Sequence, residues 1–478
     1  MIEIGSRREL FVDDYLVDFD KTTAKMTLNK PVKREAAFIH NEPWEKDICV
    51  YHNITRMPDG KYAMYYKSHH YGRLTGSDQY RTLRKICVLF SDDGLHWSRP
   101  ELDIQPIEGS PVNNIINDEG WLFDNLFVFY DTNPKCPENE RYKGIYGEWS
   151  TGLFAYKSAD GLHFDWHGGV EIMNGKETGC YFDSLNTVYF NNDIGKYVAF
   201  VRGFHVGEDN YPPDPDVPDA KRDIRISYSE DFVHWTYPER LEYNDSYDYQ
   251  LYTNAVSRYY RAPHLWLATP TRYNARGEWS DNFEKLPNPE ERRHRGRGTS
   301  VTDCIFMSSR DCEKWYRFSE GFITPGPEQF RNWLYGDCYP CIGVVETPNE
   351  IEGADPYLSL YCKEDHEGEP IKLYRYSLRM DGFTCIKSTY EPQMLVTKPF
   401  TFEGSELEIN FATSGAGYMK FTLEAEEGTA IHSGEIFGDK IDRKVGFEDG
   451  TVSSLSGKSV VMKVEMSDAE FYSFKFNK

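Results

Sequence analysis

One seven-residue segment constrains this chain more than any other feature. Ser91-Asp92-Asp93-Gly94-Leu95-His96-Trp97 recurs as Ser158-Ala159-Asp160-Gly161-Leu162-His163-Phe164 and as Ser229-Glu230-Asp231-Phe232-Val233-His234-Trp235. A looser copy is Ser309-Arg310-Asp311-Cys312-Glu313-Lys314-Trp315, and Met380-Asp381-Gly382-Phe383 reads as a fifth remnant. The four copies stand 67, 71 and 80 residues apart, a period that marks a repeated structural unit. Each copy reads as a tight turn. Its Ser and Asp side chains bond the local backbone, its Gly takes a positive φ, and its aromatic packs back on a sheet. The histidines of these turns are therefore read as architectural.

Ahead of each turn the sequence writes a hairpin. Residues 48–55 and 62–66 flank Pro58-Asp59-Gly60-Lys61, and residues 181–190 and 196–200 flank Asn192-Asp193-Ile194-Gly195. β-branched and aromatic runs split by Asp-Gly or Asn-Asp are hairpin signals. Further pairs are read at 124–130 with 142–146, 251–256 with 265–268, and 337–345 with 357–361. No amphipathic helix competes with them. Five units of about four strands describe a five-bladed β-propeller, and residues 9–15 are expected to complete its last blade. From about residue 390 strict alternation begins, with Met419, Phe421, Leu423 and Ala425 interleaving with polar residues. That pattern predicts a β-sandwich. The chain is thus read as all-β, with a catalytic propeller over 1–388 and a C-terminal sandwich over 389–478.

Composition closes off other classes. Seventy-seven Asp and Glu against 54 Lys and Arg leave a net charge of −23, which argues against nucleic acid and anionic membranes as partners. No apolar run is long enough for a spanning helix. The segment Arg292-Arg293-His294-Arg295-Gly296-Arg297 is read as a rim loop, touching an anionic sugar or a neighbouring subunit, which allows a homo-oligomer. Ten scattered cysteines read as buried free thiols in a reducing cytoplasm, and a cytoplasmic location is expected. No glycine-rich phosphate loop occurs, so no organic cofactor is required.

In an antiparallel hairpin the start of the first strand and the end of the second share one edge. The inner-strand starts hold Glu45, Asp47, Asp124, Asn125, Asp183, Asn186, Tyr252, Asn254 and Asp337. The returning ends hold Lys67, Glu148, Trp149, Arg202, His205, Arg272, Tyr273 and Lys363. An acidic centre with a cationic and aromatic rim is expected there. Crowded carboxylates push their pKa values apart, so one can act as an acid while another stays ionised, the equipment of glycoside hydrolysis. Asp124, Asp183 and Glu148 are the candidate catalytic residues. His52, Asn53, Trp149, Asn186, Arg202, His205, Tyr252, Arg272 and Asp337 are candidate substrate-binding residues. Converging carboxylates would also suit Ca²⁺.

With these turns, Asp-rich inner strands and an appended sandwich, the chain resembles the propeller glycosidases of glycoside hydrolase families 32, 43 and 68. The resemblance implies a hydrolase acting on glycosidic bonds, exo-acting on a plant or algal oligosaccharide. Some propeller glycosidases use a histidine as acid, which keeps His52 among the candidates. A second resemblance, to sialidases, rests on their Ser-x-Asp-x-Gly-x-Thr-Trp box. A non-catalytic carbohydrate-binding propeller is the alternative of another class.

Overall fold

The structure is a computed structural model. It describes residues 2–45, 48–73, 80–107, 109–117, 125–147, 151–207, 209–210, 220–279, 281, 283–285, 289–290, 299–329, 332–364 and 370–478, with the backbone alone at 69–73, 80–83 and 209–210. It is all-β and propeller-like, and four small sheets read directly as blades. The first runs Ile48–Arg56, Tyr62–Arg73, Tyr80–Ser91 and Ile115–Asn117. The second runs Leu126–Tyr130, Tyr142–Gly147, Gly152–Ser158 and Val170–Asn174. The third is built on Thr187–Asn191, Lys196–Val206, Lys221–Ser229 and Glu239–Arg240. The fourth joins Tyr339–Pro340 and Val345–Thr347 to Tyr357–Glu364, Ile371–Arg379 and the early strand Val32–His40. Turn chemistry sets these hairpins, as at Gly60 (φ 91°) and Gly195 (φ 66°), conformations that a Cβ disfavours.

Between the third and fourth of these lies a less regular sheet of seven strands. Its second line is split into Trp266–Ala268 and Thr271–Ala275, both paired to Ser300–Ser309. The break falls at Pro270, which has no N–H to give to a ladder. Side chains and main chain then stitch the five small sheets in sequence order. Asn53 donates to Leu126 O at 2.9 Å and accepts from Val128 N, and Asn125 donates to Ser184 O at 3.0 Å. Asn254 donates to Leu185 O at 3.0 Å, and Thr271 Oγ1 donates to Cys338 O at 3.2 Å. Ile54 N donates to Ile342 O at 2.9 Å, which joins the last small sheet to the first.

The repeated turns share one geometry. Ser91, Ser158, Ser229 and Ser309 accept from the N–H three residues on, at 2.8, 3.0, 2.9 and 2.9 Å. That third residue, Gly94, Gly161, Phe232 or Cys312, has φ between 71° and 79°. Each Asp accepts the next two free N–H groups, as Asp93 does from Leu95 and His96 at 2.8 and 2.9 Å. The fifth remnant departs from this. Asp381 has φ 60°, but its carboxylate is wholly buried and bonds Tyr259, Arg261, Asn410 and Ser473 instead of local backbone.

The chain ends meet in a ten-stranded sheet. Two long strands, Glu406–Ala425 and Val460–Asn477, pair along their length, with register shifts at Asn410/Phe411 and Thr413/Tyr418. Leu407, Ile409, Phe411, Phe421, Leu423, Val464, Phe474 and others fill one core. Ile2–Gly5, Glu9–Leu10 and Lys25–Leu28 join this sheet. The expectation that residues 9–15 complete the last blade is therefore corrected. Val32–His40 takes that place, beside Ile371–Arg379. It offers nine residues, against the two-residue strand Glu9–Leu10.

Candidate active site

The starts of the inner strands come together around a cluster of tyrosines. Ile48, Val50 and Tyr339 pack with Tyr51 and Tyr252. Tyr252 lies 5.6 Å from Tyr339, 5.7 Å from Tyr335 and 6.1 Å from Tyr273, ring centre to ring centre, and its hydroxyl meets that of Tyr335 at 2.5 Å. Burial first, then the neighbouring Tyr335, pushes the Tyr252 phenol up. Tyr51 stands at the bulge between Val50 and Asn53 with φ 60°, a strained conformation for a residue with a side chain.

Arg202 reaches into this cluster from the third sheet. Its Nη1 lies 3.4 Å from Asp183 Oδ1, its Nη2 donates to Tyr252 O, and its guanidinium sits 4.7 Å from the Tyr252 ring centre. Burial alone would lower its pKa, but the Asp183 charge holds it above its ordinary value. Arg222 adds a second cation, 5.0 Å from Tyr252 and 5.1 Å from Tyr273. Lys363 lies 5.4 Å over Tyr339, and Lys67 lies 5.7 Å over Tyr51. Of the candidates, Asp183, Arg202 and Tyr252 thus stand together. Asp124, Glu148 and Trp149 lie outside the described residues, as do Asp47 and residues 292–297.

Other candidates are placed elsewhere, for reasons of strand geometry. Arg202 and His205 are an odd number of residues apart on Lys196–Val206, so they point to opposite faces. His205 is bracketed by Asp223 Oδ2 at 2.9 Å and Asp248 Oδ1 at 2.8 Å. Arg272 likewise faces away from its neighbour Tyr273, and its fork is taken by Asp303 at 2.9 and 2.6 Å. Asn53 stitches sheets, as above. Asn186 donates to Phe182 O and Ser184 O and accepts from Arg202 N at 3.1 Å, so it shapes the Asp183 loop from within. Asp337 is buried, with Oδ2 accepting from Leu334 N at 3.3 Å.

His52 faces the first sheet's interior. Its Nε2 lies 3.1 Å from His40 Nε2, and its ring stacks on Tyr66 at 5.3 Å. His40 Nδ1 lies 3.4 Å from Glu45 Oε1, and Glu45 also takes Tyr66 and Arg99. Burial first, then His40 and Lys363, hold the His52 pKa well below its ordinary value. Burial raises the Glu45 carboxyl, yet His40 and Arg99 outweigh it and hold it at about 2. Both residues belong to a satisfied buried network.

The sequence reading missed Tyr51, Arg222, Tyr335 and Tyr339. Tyr339 was within reach, two residues beyond the chosen Asp337. Tyr335 sits in a loop whose path depends on positive φ at Trp333, Gly336 and Cys338, 63°, 94° and 53°. Only the glycine announces itself.

No protein-family model matches the chain, and no curated protein does. Among solved structures it is similar to an N-acetylgalactosamine deacetylase from F. plautii in complex with blood group B trisaccharide (TM-score 0.44, 11% identity, 76% of this chain and 96% of that one). It is also similar to a Penicillium chrysogenum α-L-arabinanase complexed with arabinobiose (0.38, 10%, 74% and 98%). A third is a GH32 β-fructofuranosidase of Bombyx mori (0.38, 9%, 95% and 94%). Likenesses this distant leave the chemistry to be read from this chain's own residues.

Proposed function

We propose that the chain is a glycoside hydrolase whose pocket is the mouth formed by the inner-strand starts. The observation that carries this reading is the Asp183–Arg202–Tyr252 constellation, a partly buried carboxylate with a cation beside it on a wall of tyrosine rings. Aromatic faces suit the apolar face of a sugar, and the planar Arg202 fork suits paired oxygens. Asp183 serves as one carboxylate of the acid–base set, with Asp124 and Glu148 of the neighbouring unit as its proposed partners. Exo-action on an oligosaccharide end is part of this proposal, with the terminal sugar resting on the tyrosine rings. No step is routed through Ca²⁺, and the Asp183 carboxylate is already met by Arg202.

The architecture proposed with it is a five-bladed propeller, the seven-stranded sheet being the blade broken by Pro270. The ten-stranded sheet then forms the C-terminal β-sandwich. A panel of aryl glycosides and oligosaccharides tests the activity, with Asp183→Asn and Asp124→Asn beside the natural chain. Turnover lost in both supports the assignment, and turnover unchanged in both removes it. Binding without turnover of any substrate would instead favour a carbohydrate-binding propeller.

A further inference from the structure

The antiparallel geometry that gathers inner-strand starts at one mouth gathers their ends at the other. Ile48–Arg56 is nine residues long, which at roughly 3.3 Å per residue puts about 25 Å between its ends. The packed tyrosines lie between. At the far mouth is a hollow of about 370 Å³ lined by Arg56, Tyr62, Tyr189, Arg258, Tyr260 and Glu346 among others. A second hollow, also about 370 Å³, shares Arg56, Tyr189, Arg258 and Tyr260 with it and extends toward Phe127 and Phe129. Each alone falls within the usual range of small-molecule sites, about 300–1,000 Å³.

The lining side chains divide into held and available groups. Arg258 is held: it donates to Pro263 O and, at 2.6 Å, to Asp193 Oδ2, with Trp266 5.3 Å beneath it. Tyr189 donates to Val256 O at 2.9 Å. Tyr260 donates to Glu346 Oε2 at 2.9 Å, which fixes one carboxylate oxygen at the rim. Arg56 is exposed, and among the described residues its side chain makes no hydrogen bond or ion pair. It acts on the Tyr62 phenol only as a charge. An arginine fork, an opposing carboxylate and three phenol rings are thus presented around one hollow. The charges of Arg56 and Glu346 balance, so the site does not select an anion.

We infer that this far mouth is a second saccharide site, for a neutral sugar, that binds without reacting. Adjacent hydroxyls would bridge Arg56 and Glu346 through bidentate hydrogen bonds, with the apolar face of the ring on a tyrosine. It would not hydrolyse its occupant, because glycoside hydrolysis takes two carboxyl groups and Glu346 is the one carboxylate among the described lining residues. Only the choice of saccharide probes rests on the proposed function.

The test uses the full chain carrying Arg202→Ala, which disables the near mouth. Arabinotriose, xylotriose, β-1,3-galactotriose and a galacturonate trimer are titrated by saturation-transfer NMR and calorimetry. At least one neutral trimer should bind, and adding Arg56→Ala with Glu346→Gln should weaken it at least tenfold. Both changes are at exposed positions, and thermal melting should be unmoved. Binding that is unchanged by the added pair overturns the inference, and so does binding of none of the four. Preference for the galacturonate trimer overturns the neutral assignment. Failure of the near-mouth reading shows separately, as absence of turnover by the natural chain.

Discussion

The rim turns and the near mouth are both built from Asp, Arg, His and aromatic residues, yet one repeats and the other does not. In the turns the bonds that shape the backbone span three residues or fewer: Ser91 reaches Gly94 N, Asp93 reaches Leu95 N and His96 N, and Trp97 Nε1 donates to Gly94 O at 3.0 Å. The same set recurs around Ser229, with Phe232 at φ 71° where glycine would be easier. At the mouth the partners come from separate units, Arg202 from a strand of the third sheet and Asp183 from the loop before that sheet, Tyr252 and Tyr335 from later loops, and Tyr339 from the last small sheet. Local hydrogen bonding preserves sequence, whereas a site assembled across the ring needs only matching positions in space.

The sharpest way to break this contrast is to remove one carboxylate from each region. Asp183→Asn should lower kcat/KM by on the order of 10³-fold, about 4 kcal/mol of barrier, with the melting temperature little changed. Asp93→Ala should do the reverse, leaving kcat/KM near its natural value and lowering stability. Kinetics on a turned-over glycoside, paired with thermal melts, read both. Loss of activity in Asp93→Ala would mean the turns are not merely architectural.

Acid should separate buried from surface carboxylates next. Burial raises the Glu9 carboxyl, yet His264 first, then Arg310 and Arg7, outweigh it and hold it at about 2, as Glu45 is held. A carboxyl whose folded pKa lies below its unfolded value of 4.5 contributes stability that is full above pH 4.5. That stability is lost as pH falls toward 2. Each contributes roughly 3 kcal/mol. Asp93 is also held at about 2 by its turn, but it lies near the surface, where solvent screens it. Urea melts between pH 6 and 2.5 should show a steep loss that Glu45→Gln flattens and Asp93→Asn does not.

Glycine separates the turns among themselves. Gly94 has φ 73°, and a Cβ there would meet Val345 Cγ1 at 2.5 Å. Gly94→Ala should cost on the order of 2 kcal/mol, from strain and contact together. Phe232 tolerates the same φ because its ring is repaid by packing, 5.0 Å from Tyr197 and 6.0 Å from Phe129. A Gly94→Ala chain that melts with the natural one would show that positive φ is not what the repeat preserves.

What could be read in advance follows the same division. The turns, the hairpins at Gly60 and Gly195 and the alternating tail are local, and they carried the all-β, propeller-like reading. Strand parity was the weak link. Choosing Arg272 in place of Tyr273, or adding His205 to Arg202, puts a side chain on the wrong face, because one residue of error turns the strand over. Asn53 and Asn186 read as ligands because an amide at a strand start looks alike whether it bonds sugar or a neighbouring carbonyl. Val32–His40 in the last blade was hidden because its partner lies more than 300 residues away in the chain.

The smallest expected effect tests the histidines of the turns. His96, His163 and His234 each place Nδ1 2.7 Å from the Asp three residues earlier, and all three side chains are largely exposed. An exposed contact of this kind is worth about 0.2–1 kcal/mol, and each Asp keeps its two backbone partners without it. His96→Ala should therefore cost about 0.5 kcal/mol. The three substitutions together should cost about three times that, since they lie in separate sheets and share no partner. Urea melts of the single and triple variants measure both quantities. A triple variant much less stable than the sum would mean that the turns act as one coupled rim. A single variant that abolished turnover would move that histidine from the rim into the chemistry.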